Sequence, residues 1–311
     1  MVPLHQLRVP DGTRLAYRLY GPSARGEGAA ARRIALCDGI SCDGYIWRYL
    51  LPVLEKGHDV LHLNYRGHGR SGLPRDPSTC ALPDLAGDLA FVLETLGWPD
   101  ATLIGHSMGV QVAIETAMRS PSRTEALILC CGSSGRVLDT FRNTDLGARL
   151  LPILDTITQV YRDTVSAAVR AFLPSPLSYT LAALTEIKAE RIRPRDLQPY
   201  LDHFARMPMD LFMGLLTDAA QRTSQPFLSR VGQPTLVIAG QDDGFTPIAV
   251  SRFLANALPH AELIVVPGTS HTAPLEAPDA FEQHITTFLE NLARAPRSPA
   301  FDHCWPLSSW G

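Results

Sequence analysis

The sequence predicts an α/β protein: a doubly wound, mostly parallel, eight-stranded sheet with an all-helical insertion after strand six. Two observations lead to this prediction. Short apolar runs alternate with segments of helical periodicity along most of the chain, which is typical of a parallel sheet with helices on both faces. The alternation stops after Gly135 and resumes near residue 225, and only helical patterns lie between. An insertion of this kind usually covers the body that it interrupts.

The individual elements follow in chain order. The first twenty residues alternate around an Asp-Gly turn, which is typical of a hairpin, and a loop rich in Gly and Ala comes next. Six further strands are predicted from apolar runs, at residues 33–39, 59–65, 101–105, 125–132, 234–240 and 261–268. Helices are predicted where apolar residues recur every three or four positions: residues 45–57, 82–96 and 109–119, and after each of the last two strands.

The insertion contains four predicted helices, which prolines separate. The first is predicted from seven apolar residues at helical spacing: Leu150, Leu154, Ile157, Tyr161, Val165, Val169 and Phe172. A second helix is predicted over residues 177–187, and two more around Leu201 and Leu215. The chain therefore divides into three predicted parts: a core of residues 1–135 and 225–293, a cap of residues 136–224, and an irregular tail of residues 294–311 without an assigned function.

Composition excludes several classes of protein. The chain has 311 residues, of which 45% are apolar, so it is long enough for one large core. Its 28 basic and 31 acidic residues form no basic stripe, so no nucleic-acid partner is expected. No apolar run approaches the roughly 20 residues of a membrane span, and the N-terminus lacks an apolar signal core. These features predict a soluble, cytoplasmic protein, and they do not define an oligomeric state.

The cysteines predict neither a disulfide framework nor a metal site. Six cysteines in a chain of this length are sparse, and their spacing matches no zinc pattern. Cys130 and Cys131 are expected to be packed thiols. Cys37 and Cys42 bracket one loop and could pair if oxidised, but reduced thiols are the prediction. We expect no metal and no cofactor.

A serine between two glycines marks the first candidate site. Gly105-His106-Ser107-Met108-Gly109 stands between a predicted strand and a predicted helix, which is the context that a G-x-S-x-G nucleophile elbow requires. The glycines allow a turn too tight for Cβ atoms, and that turn exposes the Ser107 hydroxyl at the top of the sheet. A serine hydroxyl needs a base to remove its proton, and the base needs a carboxylate to orient it.

Both partners of the serine follow later strands, in the order that this fold class uses. Asp242 and Asp243 lie in the loop after the strand at 234–240, and either residue can supply the carboxylate. His271 lies in the loop after the strand at 261–268 and is the candidate base. The carboxyl ends of parallel strands share one edge of a sheet, so we expect these groups to meet there.

With these motifs the chain resembles the α/β-hydrolase superfamily, in its bacterial branch with a helical cap after the sixth strand. The resemblance extends over about residues 5–293, and it rests on the elbow, "YRGHGRS" at 65–71, "GQDDGFTP" and "GTSH". In similar sequences the acid lies four residues before the proline of the loop after strand seven. Carried onto Pro247, this spacing selects Asp243 and leaves Asp242 as the alternative. The resemblance also implies that the RGHGRS loop is structural and that His68 is not catalytic.

The resemblance further implies an oxyanion hole of two backbone N–H groups. One is that of Met108, and the other comes from the loop after the third strand, where relatives commonly carry His-Gly. This chain reads Asp38-Gly39-Ile40, and the Ile40 N–H can serve because the donor belongs to the backbone. Asp38 then either stabilises a turn by bonding local amides or, like Asp43, lines the site and favours a polar or cationic group.

The resulting expectation is a serine hydrolase that cleaves a small or medium carboxylic ester, lactone or thioester through an acyl-enzyme. An acyltransferase with the same residues and a slowly reacting ligand-binding protein are the alternatives. Apolar residues of the cap favour a small-molecule substrate with an apolar acyl or aromatic group, although most of them are expected to pack the cap itself. These cap residues are Phe172, Leu177, Phe204, Met207, Met209, Phe212 and Met213.

Overall fold

The computed structural model describes residues 2–185 and 187–294 of the chain. Eight strands form one sheet: β1 (His5–Arg8), β2 (Arg14–Tyr20), β3 (Arg33–Cys37), β4 (Asp59–Asn64), β5 (Ala101–His106), β6 (Thr124–Cys130), β7 (Thr235–Gly240) and β8 (Ala261–Val266). Their order across the sheet is β1-β2-β4-β3-β5-β6-β7-β8. β1 and β2 form the predicted hairpin, β2 is antiparallel to β4, and all other neighbours are parallel. The predicted fold class is confirmed.

Helices connect the strands and form the insertion. Those of the core are α1 (Pro22–Arg25), α2 (Leu51–Leu54), α3 (Leu82–Thr95), α4 (Met108–Arg119), α10 (Ile248–Ala257), α11 (Ala273–Glu276) and α12 (Pro278–Arg294). Those of the cap, between β6 and β7, are α5 (Leu146–Val160), α6 (Arg162–Phe172), α7 (Pro176–Thr185), α8 (Pro194–Phe204) and α9 (Met209–Gln221). An apolar core packs on each face of the sheet, which is why the central strands are buried along their whole length.

The register of the parallel strands places four loops at one edge of the sheet. Cys37 at the end of β3 pairs with Gly105 of β5, and His106 pairs with Cys130 at the end of β6. On the other side, Gly240 at the end of β7 pairs with Val266 at the end of β8. The loops after β3, β5, β7 and β8 therefore leave the sheet side by side. Ile40, Ser107, Asp243 and His271 lie in these loops, and Met108 begins α4 directly after Ser107.

Two predictions on local structure are wrong in detail. The predicted helix at 45–57 is a 3₁₀ turn at Tyr45–Trp47 followed by α2. A continuous helix would place Pro52 in its interior, where the ring clashes with the carbonyl four residues earlier. In the structure Pro52 instead lies in the first turn of α2, which tolerates proline. The loop rich in Gly and Ala contains the short helix α1.

The first predicted cap helix is also two helices, α5 and α6, because the backbone leaves the helical conformation at Tyr161. The apolar spacing on α5 does not mark a buried face. Leu150, Leu154 and Ile157 are 42%, 51% and 44% exposed, whereas Leu151 is buried against Met213 of α9. α5 thus uses only one side of a wide apolar surface for packing.

The remaining chain-level expectations concern the tail, the membrane and the cysteines. Only Arg294 of the predicted tail is described, as the last residue of α12; residues 295–311 lie outside the described part of the chain. In residues 2–185 and 187–294 no helix is long and apolar enough to cross a membrane. The five cysteines in these ranges are buried free thiols, Cys37 and Cys42 included.

Candidate active site

Ser107 makes the whole turn between β5 and α4 by itself. β5 ends at His106 and α4 begins at Met108, so the chain must reverse direction within one residue. Ser107 has φ 57° and ψ −121°, a region that residues with a side chain rarely occupy. Its N–H donates to the Cys130 carbonyl at 3.1 Å, which ties the turn to the end of β6. Strain of this kind is typical of functional sites whose surroundings hold the residue in place.

Close backbone packing explains why two glycines flank this serine. A Cβ atom on Gly105 would lie 2.4 Å from the Gly109 carbonyl oxygen, and a Cβ on Gly109 would lie 2.0 Å from the Cys37 carbonyl oxygen. Real Cβ atoms do not approach backbone so closely, so α4 can start directly against β5 and β3 only with glycine at both positions. The glycines therefore bring the first turn of α4, and with it Ser107, to the edge of the sheet.

The structure joins Ser107, His271 and Asp243 in one chain of hydrogen bonds. His271 Nε2 lies 2.9 Å from Ser107 Oγ. His271 Nδ1 lies 3.0 Å from Asp243 Oδ2 and 3.2 Å from Oδ1. These are the contacts by which an imidazole can take a hydroxyl proton on one nitrogen while a carboxylate holds the other. The three residues come from three separate loops at the same sheet edge.

The surroundings of the Asp243 carboxylate favour its ionised form. Its side chain is fully buried, and its oxygens accept hydrogen bonds from the Phe245 and Thr246 N–H groups at 2.8 and 2.9 Å and from the Thr246 hydroxyl at 2.8 Å. Burial alone would raise the pKa of Asp243, but the charge and hydrogen bond of His271 and the bonds from Thr246 outweigh it, so the pKa is lowered. Asp242, the alternative acid, instead pairs with Lys188 Nζ at 2.9 Å.

His106, which precedes the serine, holds the main chain of His271. Its Nε2 lies 2.9 Å from the His271 carbonyl oxygen, so this nitrogen carries the proton and donates it to the carbonyl. Burial and the neighbouring His271 lower the pKa of His106 to about 3, which keeps the imidazole neutral. His106 therefore connects the loop of Ser107 with the loop of His271 through a structural hydrogen bond.

The loop after β3 lies directly against the serine. A Cβ on Gly39 would be 3.2 Å from Ser107 Cβ, closer than most such contacts, so glycine eases this approach. Ile40 packs into the same apolar cluster as Met108. Within the described residues, neither the Ile40 nor the Met108 N–H donates to a loop carbonyl or a side chain, and Met108 is the first residue of α4, where helical N–H groups have no partner in the helix. The two amides thus remain available near Ser107.

Asp38 does not form the predicted turn with local amides. Its carboxylate is buried and accepts hydrogen bonds from Trp47 Nε1 at 2.6 Å and His62 Nε2 at 2.8 Å. A buried carboxylate needs strong donors, and the side chains of Trp47 and His62 supply them in place of local amides. The charge is thereby neutralised behind the loop that carries Ile40. Asp43 is exposed and forms no ion pair within the described ranges.

The buried Asp38–His62 pair predicts a pH-dependent stability. Burial opposes the imidazolium of His62, but the charge and hydrogen bond of Asp38 prevail and raise its pKa above the ordinary value. The pair therefore stabilises the fold fully below the unfolded pKa of about 6.5, and this stability is lost as the pH rises through the raised pKa. We expect the melting temperature of His62→Gln to fall furthest below wild type near pH 6, with the gap narrowing by about pH 9. His260→Gln, at an exposed position, is the control; a gap that widens with pH contradicts the pairing.

His68 of the RGHGRS loop does not join the Ser107–His271–Asp243 chain. Its Nδ1 lies 3.1 Å from the Arg66 carbonyl oxygen, and its Nε2 accepts the Ser41 N–H at 3.2 Å. Burial lowers the pKa of His68 to about 4. Both ring nitrogens are thus used by backbone, and the neutral ring braces the loop after β3.

Aromatic rings extend from the imidazole towards the cap. Phe245 lies 4.8 Å from the His271 ring, centroid to centroid, and Phe141 lies 5.0 Å from Phe245. Phe245 remains 37% exposed although it contacts both rings. From the cap, Met207 packs into the apolar cluster of Ile40 and Met108, and its sulfur accepts the Ser41 hydroxyl at 3.2 Å.

Most of the cap residues that were expected to pack the cap do so. Met207, Met209 and Met213 are buried, and the Phe204 and Phe212 rings lie 4.5 Å apart. Phe172 and Leu177 are exposed instead, at 38% and 64%. Met207 and Phe212 also reach the cluster that contains Met108, so the cap contributes apolar surface to the side of the sheet edge where Ser107 lies.

The cap is hydrogen-bonded and ion-paired to the loop of the candidate acid on both sides of Asp243. The Arg142 N–H donates to the Gly244 carbonyl at 2.7 Å, just before α5 begins. After α7, Lys188 pairs with Asp242 through its side chain and donates its N–H to Glu276 at 3.1 Å. Sequence reasoning missed Glu276, His106, His62 and Phe245 as parts of this site, because each is an ordinary residue type at an unremarked position of its motif or helix.

Comparison with known proteins identifies the family to which this fold belongs. The strand order, the serine on the turn after β5 and the helices between β6 and β7 are those of the α/β-hydrolase fold. The chain belongs to this family, whose model, described as alpha/beta hydrolase fold, matches residues 33–278. Within the described ranges, no three His, Cys, Asp or Glu side chains converge to hold a metal ion.

Individual relatives are hydrolases of several kinds. The chain is 29% identical over 290 residues to a protein of Variovorax paradoxus that carries the provisional name carbamate hydrolase RutD, covering 92% of this chain and 99% of that one. A hydrolase from Pseudomonas aeruginosa has a TM-score of 0.70 at 27% identity, covering 92% and 98% of the two chains. The enol-lactonase of Burkholderia xenovorans has a TM-score of 0.69 at 24% identity and 92% and 100% coverage, which shows a shared fold.

Proposed function

We propose that this protein is a serine hydrolase that cleaves a small or medium carboxylic ester, lactone or thioester through an acyl-enzyme. The observation that carries the proposal is the hydrogen-bonded chain from Ser107 Oγ through His271 to buried Asp243. Membership of the α/β-hydrolase family supports the reaction class, and a relative provisionally named a carbamate hydrolase supports a carbonyl substrate. No cofactor is required for this chemistry.

In the proposed mechanism, Asp243 accepts the Nδ1 proton of His271 in a hydrogen bond, which leaves a lone pair on Nε2 facing Ser107. His271 Nε2 takes the hydroxyl proton as Ser107 Oγ attacks the substrate carbonyl carbon. The negative charge then moves to the carbonyl oxygen, where the N–H groups of Ile40 and Met108 stabilise it. Imidazolium stays stable at this stage because the Asp243 carboxylate lies beside it.

Collapse of this intermediate breaks the bond to the leaving group, which takes the proton from His271 Nε2 and departs. The acyl group remains on Ser107 Oγ. A water molecule gives its proton to His271 Nε2, attacks the acyl carbon and forms a second oxyanion in the same hole. When that intermediate collapses, the acid is released and Ser107 regains its proton, so the enzyme returns to its starting state.

The test of the function is hydrolysis of a p-nitrophenyl ester series from acetate to laurate, with γ- and δ-lactones beside it, by wild type and Ser107→Ala. We expect release of p-nitrophenol by wild type that the variant lacks, and a chain-length optimum that measures the acyl pocket. Product analysis with added alcohol or thiol acceptors identifies transfer if it competes with water. A protein that binds these esters and turns over none of them in more than one cycle contradicts the proposal.

Phe245 is predicted to set the preference for apolar groups. Its half-exposed ring on the His271 imidazole offers a contact surface next to the reacting carbonyl. We expect Phe245→Ala to lower kcat/KM for phenyl and long-chain acyl esters by roughly 10-fold more than for acetate. Phe253→Ala, which removes an exposed phenylalanine of α10, is the matched control. An equal loss on acetate and on the larger esters would assign Phe245 a packing role only.

A further inference from the structure

Glu276 is a buried carboxylate outside the hydrogen-bonded chain, and four donors converge on it. Its Oε2 accepts the Ser270 N–H at 2.6 Å. Its Oε1 accepts the hydroxyls of Ser270 and Thr272, the latter at 2.8 Å, and the Lys188 N–H at 3.1 Å. Glu276 is only 6% exposed, so these bonds form in a region where an unpaired polar group is costly.

The positions of the donors give this carboxylate its role. Ser270 and Thr272 are the immediate neighbours of His271 on either side, and Glu276 ends the short helix α11 that follows them. The carboxylate therefore ties together the residues on both sides of His271, while His106 contacts the His271 carbonyl. With the residues before and after it fixed, the His271 backbone has little freedom to rotate, and its ring keeps both Ser107 and Asp243 within hydrogen-bond distance.

The fourth donor connects this arrangement to the cap. Lys188 belongs to the cap segment between α7 and α8. Its N–H donates a hydrogen bond directly to Glu276, the last residue of the helix that follows His271. A carboxylate with two oxygens is the side chain that fits, because it accepts all four bonds and has no proton to place. In a glutamine of the same shape, an NH₂ group replaces one of the two oxygens, and this group cannot accept a hydrogen bond.

We propose that Glu276 is a positioning residue for the base of the reaction: it holds His271 in register with Ser107 through Ser270 and Thr272 and makes that register depend on the docked cap segment at Lys188. The inference rests on the proposed function, since it assigns Glu276 a role towards a catalytic histidine. Replacement of Glu276 should therefore lower the reactivity of Ser107 and leave substrate binding nearly unchanged, because Glu276 is buried and contacts the neighbours of His271.

The experiment measures phosphonylation of the full-length protein by a fluorophosphonate. The amplitude of labelling counts competent sites, whereas the pseudo-first-order rate constant reports how well His271 activates Ser107 in those sites. We expect Glu276→Gln to lower the rate constant about 100-fold, with kcat for p-nitrophenyl butyrate falling in parallel and KM changing less than threefold. Glu115→Gln is the matched control, since Glu115 is a buried carboxylate on α4 that pairs with Arg119.

A second variant covers the case in which Glu276→Gln folds poorly. Thr272→Val keeps the shape and removes one of the four bonds, and it should lower the rate constant several-fold without lowering the amplitude. Rate constants equal to wild type in both variants, with only the amplitude reduced, would overturn the positioning role and leave Glu276 a stabilising residue. Failure of the function itself is a separate result: wild type would then take up no label at Ser107, as read by peptide mass spectrometry.

Discussion

Replacement of Ser107 with alanine is expected to lower kcat for p-nitrophenyl esters by about 10⁶-fold. Alanine removes the only oxygen that His271 Nε2 contacts at 2.9 Å, so no acyl-enzyme can form. Binding and the two backbone amides remain, and they account for whatever slow turnover persists above the uncatalysed rate. The fold should be unaffected, because the Ser107 N–H that ties the turn to Cys130 belongs to the backbone.

The measurement pairs steady-state kinetics with intact-protein mass spectrometry after mixing with a slow ester. Wild type should gain the mass of one acyl group, and Ser107→Ala should gain none. Ser251→Ala is the control, since Ser251 is a buried serine of α10 that takes no part in the hydrogen-bonded chain of Ser107, His271 and Asp243. Wild-type activity in Ser107→Ala would refute the mechanism, and an acyl adduct on another residue would move the nucleophile there.

Replacement of Asp243 with asparagine carries the second-largest expected effect, a fall in kcat of about 10⁴-fold. An asparagine amide presents N–H groups towards His271 Nδ1, where the carboxylate now accepts at 3.0 Å. The imidazole then places its proton on Nε2, and that nitrogen can no longer take the proton of Ser107. The backbone N–H groups of Phe245 and Thr246 also lose a charged acceptor, so a moderate loss of melting temperature should accompany the loss of rate.

The adjacent carboxylate supplies a matched control for this experiment. Asp242→Asn changes the same atoms one residue away, where the partner is Lys188 and not the imidazole. We expect a change in kcat of no more than a few fold, since an exposed ion pair contributes little. The reverse ranking, with Asp242→Asn inactive and Asp243→Asn active, would show that the acid was assigned to the wrong residue.

The fold was predictable because hydrophobic periodicity and chain order are strong signals for a parallel sheet. Each of the six apolar runs became a strand, and the Asp-Gly turn became the end of the β1–β2 hairpin. Helix boundaries were harder. Pro52 moved the start of α2 beyond the 3₁₀ turn at Tyr45–Trp47, and a break at Tyr161 divides what the apolar spacing joins. The exposed side of α5 shows that apolar residues at helical spacing predict a helix but do not show which of its faces is buried.

The residues of the candidate site also fall into two groups: those that the sequence pattern predicts and those whose roles depend on tertiary contacts. Ser107 and His271 could be predicted as candidates because each follows its own strand in the order that this fold class uses, and the resemblance to the family then selected Asp243 over Asp242. The supporting groups could not, since their roles depend on contacts between distant segments. Glu276 is an ordinary acidic residue in a short helix until Ser270, Thr272 and Lys188 are seen to converge on it. Nothing near Asp38 in sequence reveals that His62, on the next strand, is its partner.

The two fastenings of the cap have a consequence for how specificity can be altered. The Arg142 N–H donates to Gly244, and Lys188 contacts Asp242 and Glu276, so the cap touches the loop of Asp243 and the helix that follows His271 at two points, which are its two footings. Between them lie residues 143–187, which include α5, α6 and α7. We expect these helices to tolerate exchange for those of a relative where the two footings and the contact of Leu151 with Met213 of α9 are kept. The α/β core with the two footings can thus stay constant while the segment between them varies. Residues 143–187 are therefore the segment to exchange in order to change substrate specificity.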